Sequence, residues 1–298
     1  MDVAQLLQRL GGVADARDLV ALSSRGKVRG AVRRGDIVRA GPGRYALTET
    51  DGAMRAAAAI SGVLSHESAA QWHGWELKVQ PELPVVTVPR NRKVTPDRRA
   101  GVRLRWGLLP PEDVSREGVT CPDRTVLDCA KALPFDQALT IADSALRHGD
   151  LTKARLLELA GSVVGPGRQA CLKVAEHADG RAANPFESVL RAIAIDVPGL
   201  DVEPQLVIRG PGFSVRPDLV DPTRRLVLEA DSFEFHGGRR ELRRDCERYD
   251  LLVIARWTVL RFAWEHVMLR PGFVRACLAA ACGSGPVAAA AEALHRPA

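Results

Sequence analysis

Short amphipathic runs separated by glycine open the chain. Val3 to Leu10 has the spacing of a helix and stops at Gly11-Gly12. Ala14 to Leu22 predicts a second helix, with Leu19, Val20 and Leu22 apolar. Ser23 and Ser24 can cap a third, Arg25 to Arg34, which Gly35 ends. Val28 and Val32 are its expected buried i, i+4 pair, and its polar positions are almost all basic. Two extended runs, Ile37–Ala40 and Arg44–Leu47, then flank the tight turn Gly41-Pro42-Gly43.

The middle of the chain alternates helical and extended patterns. Ser65 to Trp75 reads as an Ala-rich helix and Leu83–Pro89 as an apolar strand. A basic segment, Arg90 to Arg105, comes next. Cys121 to Leu133 has a helix-opening Pro122-Asp123 and an apolar face of Val126, Leu127, Ala130 and Leu133. Arg124 and Asp128 stand at i, i+4 and should pair on that helix. His66-Glu67 and His73 lack H-E-x-x-H spacing, so packing or capping roles are expected for both histidines. Gly161, Gly165, Pro166 and Gly167 mark a loop, and a helix follows over Ala170–Ala178.

The rear third carries the most informative pattern. A helix over NPFESVLRAIAI precedes two apolar strand-like runs, Ser214–Val220 and Arg225–Ala230, hinged at Asp221-Pro222-Thr223. Asp218 lies in the first run, and Glu229 and Asp231 close the second. Glu229 and Asp231 are two apart, so in a strand they share a face. A carboxylate inside Leu-Val-Leu-Glu-Ala is costly unless partnered. Carboxylates aimed at one spot repel unless a cation sits there, and Mg²⁺ prefers oxygen ligands of this kind. A charged helix and a strand ending in Leu-Arg-Phe complete the domain. Arg239, Arg240, Arg243 and Arg244 on that helix suit either a phosphate track or a solvated face.

Composition narrows the classes. The chain has 298 residues, 46% of them hydrophobic, and a net charge of +6. Residues 1–110 hold 18 Lys and Arg against 10 acidic residues, and the rest holds 24 against 26. That bias concentrates phosphate affinity in the front. No apolar run reaches the ~18–20 residues of a membrane span, so no membrane association is expected. MDVAQLLQRLGG has neither a basic leader region nor a cleavage site, and the six cysteines show no CxxC pair. A cytoplasmic protein with reduced thiols is the expectation.

Helix, helix, basic helix and basic hairpin is the layout of a winged helix-turn-helix. In that layout the third helix enters the major groove of double-stranded DNA and the wing follows phosphate. Arg25, Lys27, Arg29, Arg33, Arg34, Arg39 and Arg44 are the expected DNA contacts. A basic bundle that binds protein is the competing reading. The front half also resembles the AbiEi family of type IV antitoxins. The likeness rests on the winged helix, the Ser-His-Glu-Ser-Ala-Ala helix start, the valine strand before a basic loop, and Arg-Thr-Val-Leu-Asp. It spans roughly residues 1–160. The resemblance implies operon repression and a nucleotidyltransferase toxin as partner.

The rear order is helix-Glu, Pro-Asp, Glu-x-Asp, His, a helix with Asp245 and Arg248, and a final strand. This resembles the Vsr-like endonucleases of the PD-(D/E)xK superfamily over about residues 184–280. Asp231 stands where the superfamily signature has lysine. The resemblance implies Mg²⁺, or Mn²⁺, at Asp218 and Glu229, with Glu187 orienting the metal shell or the water. His236 would act as acid or base, and Arg248 would clamp phosphate or hold Asp245 in place. A rear domain that keeps the fold for binding or dimerisation alone is the alternative. The expected fold class is α/β, with a winged helix over 1–50 and an antitoxin-like domain over 51–160. A linker over 161–183, a restriction-endonuclease-like sheet domain over 184–282 and a flexible tail over 283–298 complete it.

Overall fold

The computed structural model describes residues 2–10, 12–41, 43–48, 51–231 and 239–294, apart from the side chains of 239–242. The chain is an α/β protein and divides into two compact units. One comprises residues 1–132 and 158–168; the other comprises 133–157 and 169–298.

The first unit opens with α1 (Val3–Arg9), β1 (Val13–Asp15), α2 (Ala16–Leu22), α3 (Arg25–Arg34), β2 (Ile37–Gly41) and β3 (Arg44–Leu47). β1 is a strand where the sequence pattern predicts the start of the second helix. It pairs with β3, giving an antiparallel sheet of order β1-β3-β2. Ser24 accepts a hydrogen bond from the Lys27 N–H at 3.3 Å, and Gly35 closes α3 in the left-handed region at φ 79°. Only a residue without Cβ adopts that region freely. The buried pair of α3 is Val28 and Ala31, not Val28 and Val32: Val32 is 37% exposed. The small Ala31 lets the helix lie close to Leu7, Leu19 and Ile37, and this turns Val32 outward.

The same unit continues with α4 (Gly52–Ala59), β4 (Val63–Leu64), α5 (His66–Trp72), β5 (Val85–Pro89), α6 (Pro96–Arg99), β6 (Arg103–Gly107) and α7 (Pro122–Ala132). Its second sheet has order β4-β5-β6, with β6 parallel to β5 at the edge. Ser65 does not cap α5. Its hydroxyl bonds that of Thr87 on β5 at 2.7 Å. Arg124 donates to Asp128 at 2.8 Å as expected, and also to Asp113 at 2.7 Å. His73 is packed on Trp75 and bonds the Thr120 carbonyl.

The second unit holds α8 (Phe135–His148), the start of α9 (Lys153–Ser162), α10 (Arg168–His177) from Gln169 onward, and α11 (Pro185–Ile195). After these come β7 (Glu203–Pro204), β8 (Ile208–Gly210), β9 (Phe213–Val215), β10 (Leu219–Asp221) and β11 (Leu226–Asp231). The last elements are α12 (Arg239–Ile254), β12 (Thr258–Ala263), α13 (Trp264–Leu269), α14 (Pro271–Ala281) and α15 (Val287–Leu294). The run read as one strand over Ser214–Val220 is split. β9 pairs with β8, and β10 joins a sheet of order β12-β11-β10-β7. β10 and β11 are antiparallel, and β11 and β12 are parallel.

Both faces of that sheet are covered, so its central strands are apolar without alternation. Leu219, Leu226 and Leu228 pack with α11, α13 and α14, while Val220 and Val227 pack with Leu252 and Tyr249 of α12. Of the segment read as a flexible tail, Val287–Leu294 form α15, and Arg270 donates to the Leu294 carbonyl at 2.7 Å. Among the described residues no helix is long and apolar enough to cross a membrane.

Candidate functional site

The register of the hairpin sets Leu219 opposite Leu228. Extended by one residue, it sets Asp218 opposite Glu229. Asp218 stands just before β10 rather than within it, and its Oδ2 accepts the Ala230 N–H at 2.8 Å. Glu229 is buried inside β11.

Glu187 comes from the first turn of α11. Asn184 caps that helix, accepting the Glu187 N–H at 3.0 Å, and Pro185 is preorganised for its first turn. The Glu187 carboxylate accepts from the Ala183 N–H and from Asn184 Nδ2, each at 2.9 Å. A buried network anchors the same helix to α8. Arg191 donates to both Asp143 oxygens at 2.7 and 2.6 Å, and Ser188 donates to Asp143 at 2.7 Å.

Gln205 links these carboxylates, and nothing in the sequence pattern singles it out. Its Nε2 donates to Glu187 Oε2 at 3.0 Å and lies 3.5 Å from Asp218 Oδ1. Its main-chain N–H donates to the Asp218 carbonyl at 2.9 Å. The backbone of Gln205 is left-handed, φ 57°, which a glutamine rarely adopts.

The electrostatics follow from burial and proximity. Burial, and then the Asp218 charge, pushes the Glu229 carboxyl up to about 8. The same two causes push Glu187 up to about 7. Asp218 is also raised, chiefly by burial, although the Ala230 N–H opposes the shift. Arg248 on α12 brings a cation to the group. Its Nη2 is 3.4 Å from Glu229 Oε1 and 3.7 Å from Asp245 Oδ1. That nitrogen donates instead to the Tyr249 hydroxyl at 2.7 Å. Glu229 Oε1 is therefore within ion-pair range of Arg248, yet buried without a hydrogen bond among the described residues.

The expected site residues thus fall into three sets. Glu187, Asp218, Glu229 and Arg248 come together, with Asp245 joined through Arg248. Asp231 pairs with Arg261 of the neighbouring parallel strand. His236 lies outside the described residues. Among the described residues no three His, Cys, Asp or Glu side chains form a ready metal cage. Mg²⁺ does not need one, since it is commonly held by one or two carboxylates and keeps several waters. The orphaned Glu229 oxygen and the raised carboxyls of the Asp218–Glu229 pair fit such an ion.

On α3, Arg25, Lys27, Arg29, Arg33 and Arg34 are all exposed, and Arg34 pairs with Asp36 at 2.7 Å. Arg39 on β2 is exposed. Arg44 is half-buried and donates to Asp15 at 3.0 Å, because β1 places Asp15 directly across from it. All six cysteines are free thiols.

The first unit opens with three short helices and a three-stranded antiparallel sheet, and the second has a mixed sheet flanked by helices. No family model matches the chain. It is 30% identical over 260 residues to the uncharacterized protein Rv2248 of Mycobacterium tuberculosis strain H37Rv, covering 83% of this chain and 93% of that one. The uncharacterized protein MT2308 of strain CDC 1551 matches to the same extent. The chain belongs to the family of these mycobacterial proteins. A solved structure, the RV2827C protein from Mycobacterium tuberculosis, is similar at a TM-score of 0.34 with 16% identity, over 63% of this chain and 78% of that one.

Proposed function

We propose that the chain is a DNA-binding protein of antitoxin or transcriptional-repressor type that carries a Mg²⁺-dependent endodeoxyribonuclease domain. The reading is of a cytoplasmic protein, and a nucleotidyltransferase toxin is the partner it entails. The observation that carries it is Asp218 across from Glu229, with Glu187 tied to Asp218 through Gln205.

Asp218 and Glu229 would hold the ion. Such an ion lowers the pKa of bound water and neutralises charge that develops on a phosphodiester. Glu187, near neutrality in its own titration, is suited to accept or return a proton beside that pair. Arg248 sits where it can meet a phosphate oxygen, with Asp245 and Tyr249 steadying the guanidinium. The exposed α3 cations would bring the chain to duplex DNA.

One observation favours a second reading. Arg248 lies 3.4 Å from Glu229 and can serve as a built-in counter-ion. A rear domain balanced in that way would bind or dimerise without chemistry.

Supercoiled plasmid incubated with the full chain and MgCl₂ separates the two. Nicking that needs the metal and disappears in Glu229→Gln and Asp218→Asn, both folded, supports the nuclease. Plasmid left intact by the wild type at every metal concentration, with Mn²⁺ as well, leaves the second reading.

A further inference from the structure

The crossover from β5 to β6, residues 90–102, holds five cations, Arg90, Arg92, Lys93, Arg98 and Arg99, against one acidic residue, Asp97. All of them are exposed. Among the described residues none of the five forms an ion pair with a carboxylate. The segment is nevertheless fixed. Val94 and Val102 are buried on either side of α6, and Arg99 Nε donates to the Val94 carbonyl at 3.2 Å.

Trp106, at the end of β6, stands among these charges and is 45% exposed. Its Nε1–H donates to the Arg92 carbonyl at 3.1 Å, and the Arg99 guanidinium lies 5.4 Å from its ring centroid. Arg103 and Arg105, at alternate positions of β6, belong to the other face, where Arg103 pairs with Glu67. The result is an ordered aromatic plate, half in water, among five cations, with Asp97 the one carboxylate of the segment.

We infer that this surface binds single-stranded DNA. The cations suit a phosphate backbone, and the indole suits an unpaired base that stacks on it. A duplex would use the cations but not the ring, because its bases are already stacked and paired. An acidic protein would meet the cations through its carboxylates, and polyglutamate tests for that. The inference does not depend on the rear carboxylates or on α3.

Fluorescence anisotropy of labelled oligo(dT) with the whole 298-residue chain at low salt tests it. Trp106→Ala should weaken binding about fivefold or more, whereas Trp106→Phe should keep most of the affinity, since a phenyl ring also stacks. Arg98→Gln with Arg99→Gln should weaken binding and lower the salt slope by about 1–2. Arg29→Ala with Arg33→Ala tests the winged-helix reading separately, on duplex DNA. Three results would overturn the inference. One is oligo(dT) binding by folded Trp106→Ala and by the Arg98, Arg99 variant within twofold of wild type. Another is polyglutamate bound as tightly as oligo(dT). The third is oligo(rU) bound about tenfold more tightly, which would transfer the surface to RNA.

Discussion

Asp218 and Ala230 are joined by a 2.8 Å hydrogen bond across the β10–β11 hairpin, from the Ala230 N–H to Asp218 Oδ2. The bond holds Asp218 beside Glu229, in a site where both carboxyls are raised by burial. The sequence places a carboxylate in an apolar strand, the hairpin brings its partner alongside, and burial raises both carboxyls, that of Glu229 to about 8.

That titration should appear in stability. A carboxyl raised on folding contributes stability that is fully present below its unfolded value and is lost as pH rises through the folded one. For Glu229 the window runs from about 4.5 to about 8, and for Glu187 from about 4.5 to about 7. Metal-free protein should therefore lose stability between about pH 5 and pH 8. Urea denaturation in chelator across that range checks it. Glu229→Gln should flatten the dependence and be more stable than wild type at pH 8, by on the order of 1–2 kcal/mol.

Arg248 faces Glu229, so its removal should matter only when Glu229 is charged. Arg248→Ala should cost about 1–3 kcal/mol at pH 9 and distinctly less at pH 5, where Glu229 carries its proton. Chemical denaturation at the two pH values reads the difference. An equal loss at both would assign Arg248 to packing on Tyr249 alone, whose ring it also covers at 4.8 Å.

Glu229 was legible because a carboxylate in Leu-Val-Leu-Glu-Ala has no cheap explanation, and hairpin logic then points to Asp218. Gln205 was not legible. It is a lone amide between Pro204 and Leu206, and its left-handed backbone has no glycine or asparagine to announce it. The pairing of Asp231 with Arg261 depends on the parallel register of β11 and β12, which no local pattern encodes. The β2–β3 hairpin is affected in a similar way by β1. Without that strand Arg44 reads as a free cation, whereas the strand puts Asp15 across from it. In α3 the helical period was clear, but which side faced the core turned on the small Ala31.

The exposed arginines of α3 lead to a prediction on duplex DNA. Arg29→Ala with Arg33→Ala should weaken binding across sequences. The slope of log K against log salt should fall by about 1 for each phosphate that is no longer neutralised. Arg44→Ala should instead lower stability, because it leaves Asp15 without its partner. Gel shifts at several salt concentrations, beside thermal melts of each variant, separate the two effects.

Metal binding offers a test in which two effects carry opposite signs. In Asp218→Asn the amide oxygen can still accept the Ala230 N–H, so the hairpin hydrogen bond survives while one buried charge goes. Above about pH 8, where Glu229 is ionised, repulsion with it falls, and the metal-free variant should melt higher than wild type. The same change removes a ligand charge, so Mg²⁺ should stabilise the variant less. Wild type should gain about 2–3 kcal/mol at a metal concentration near 100 times Kd. Because Glu229 holds a proton at neutral pH, wild-type binding should also release protons, seen as a titration enthalpy that depends on the buffer. A carboxylate with a purely structural role would lose stability on the same substitution and show no metal response. Melting of both proteins with and without Mg²⁺ and Mn²⁺ decides. If wild type gains nothing from either ion and Asp218→Asn only destabilises, the pair is not a metal site, and Arg248 is the cation it was built to face.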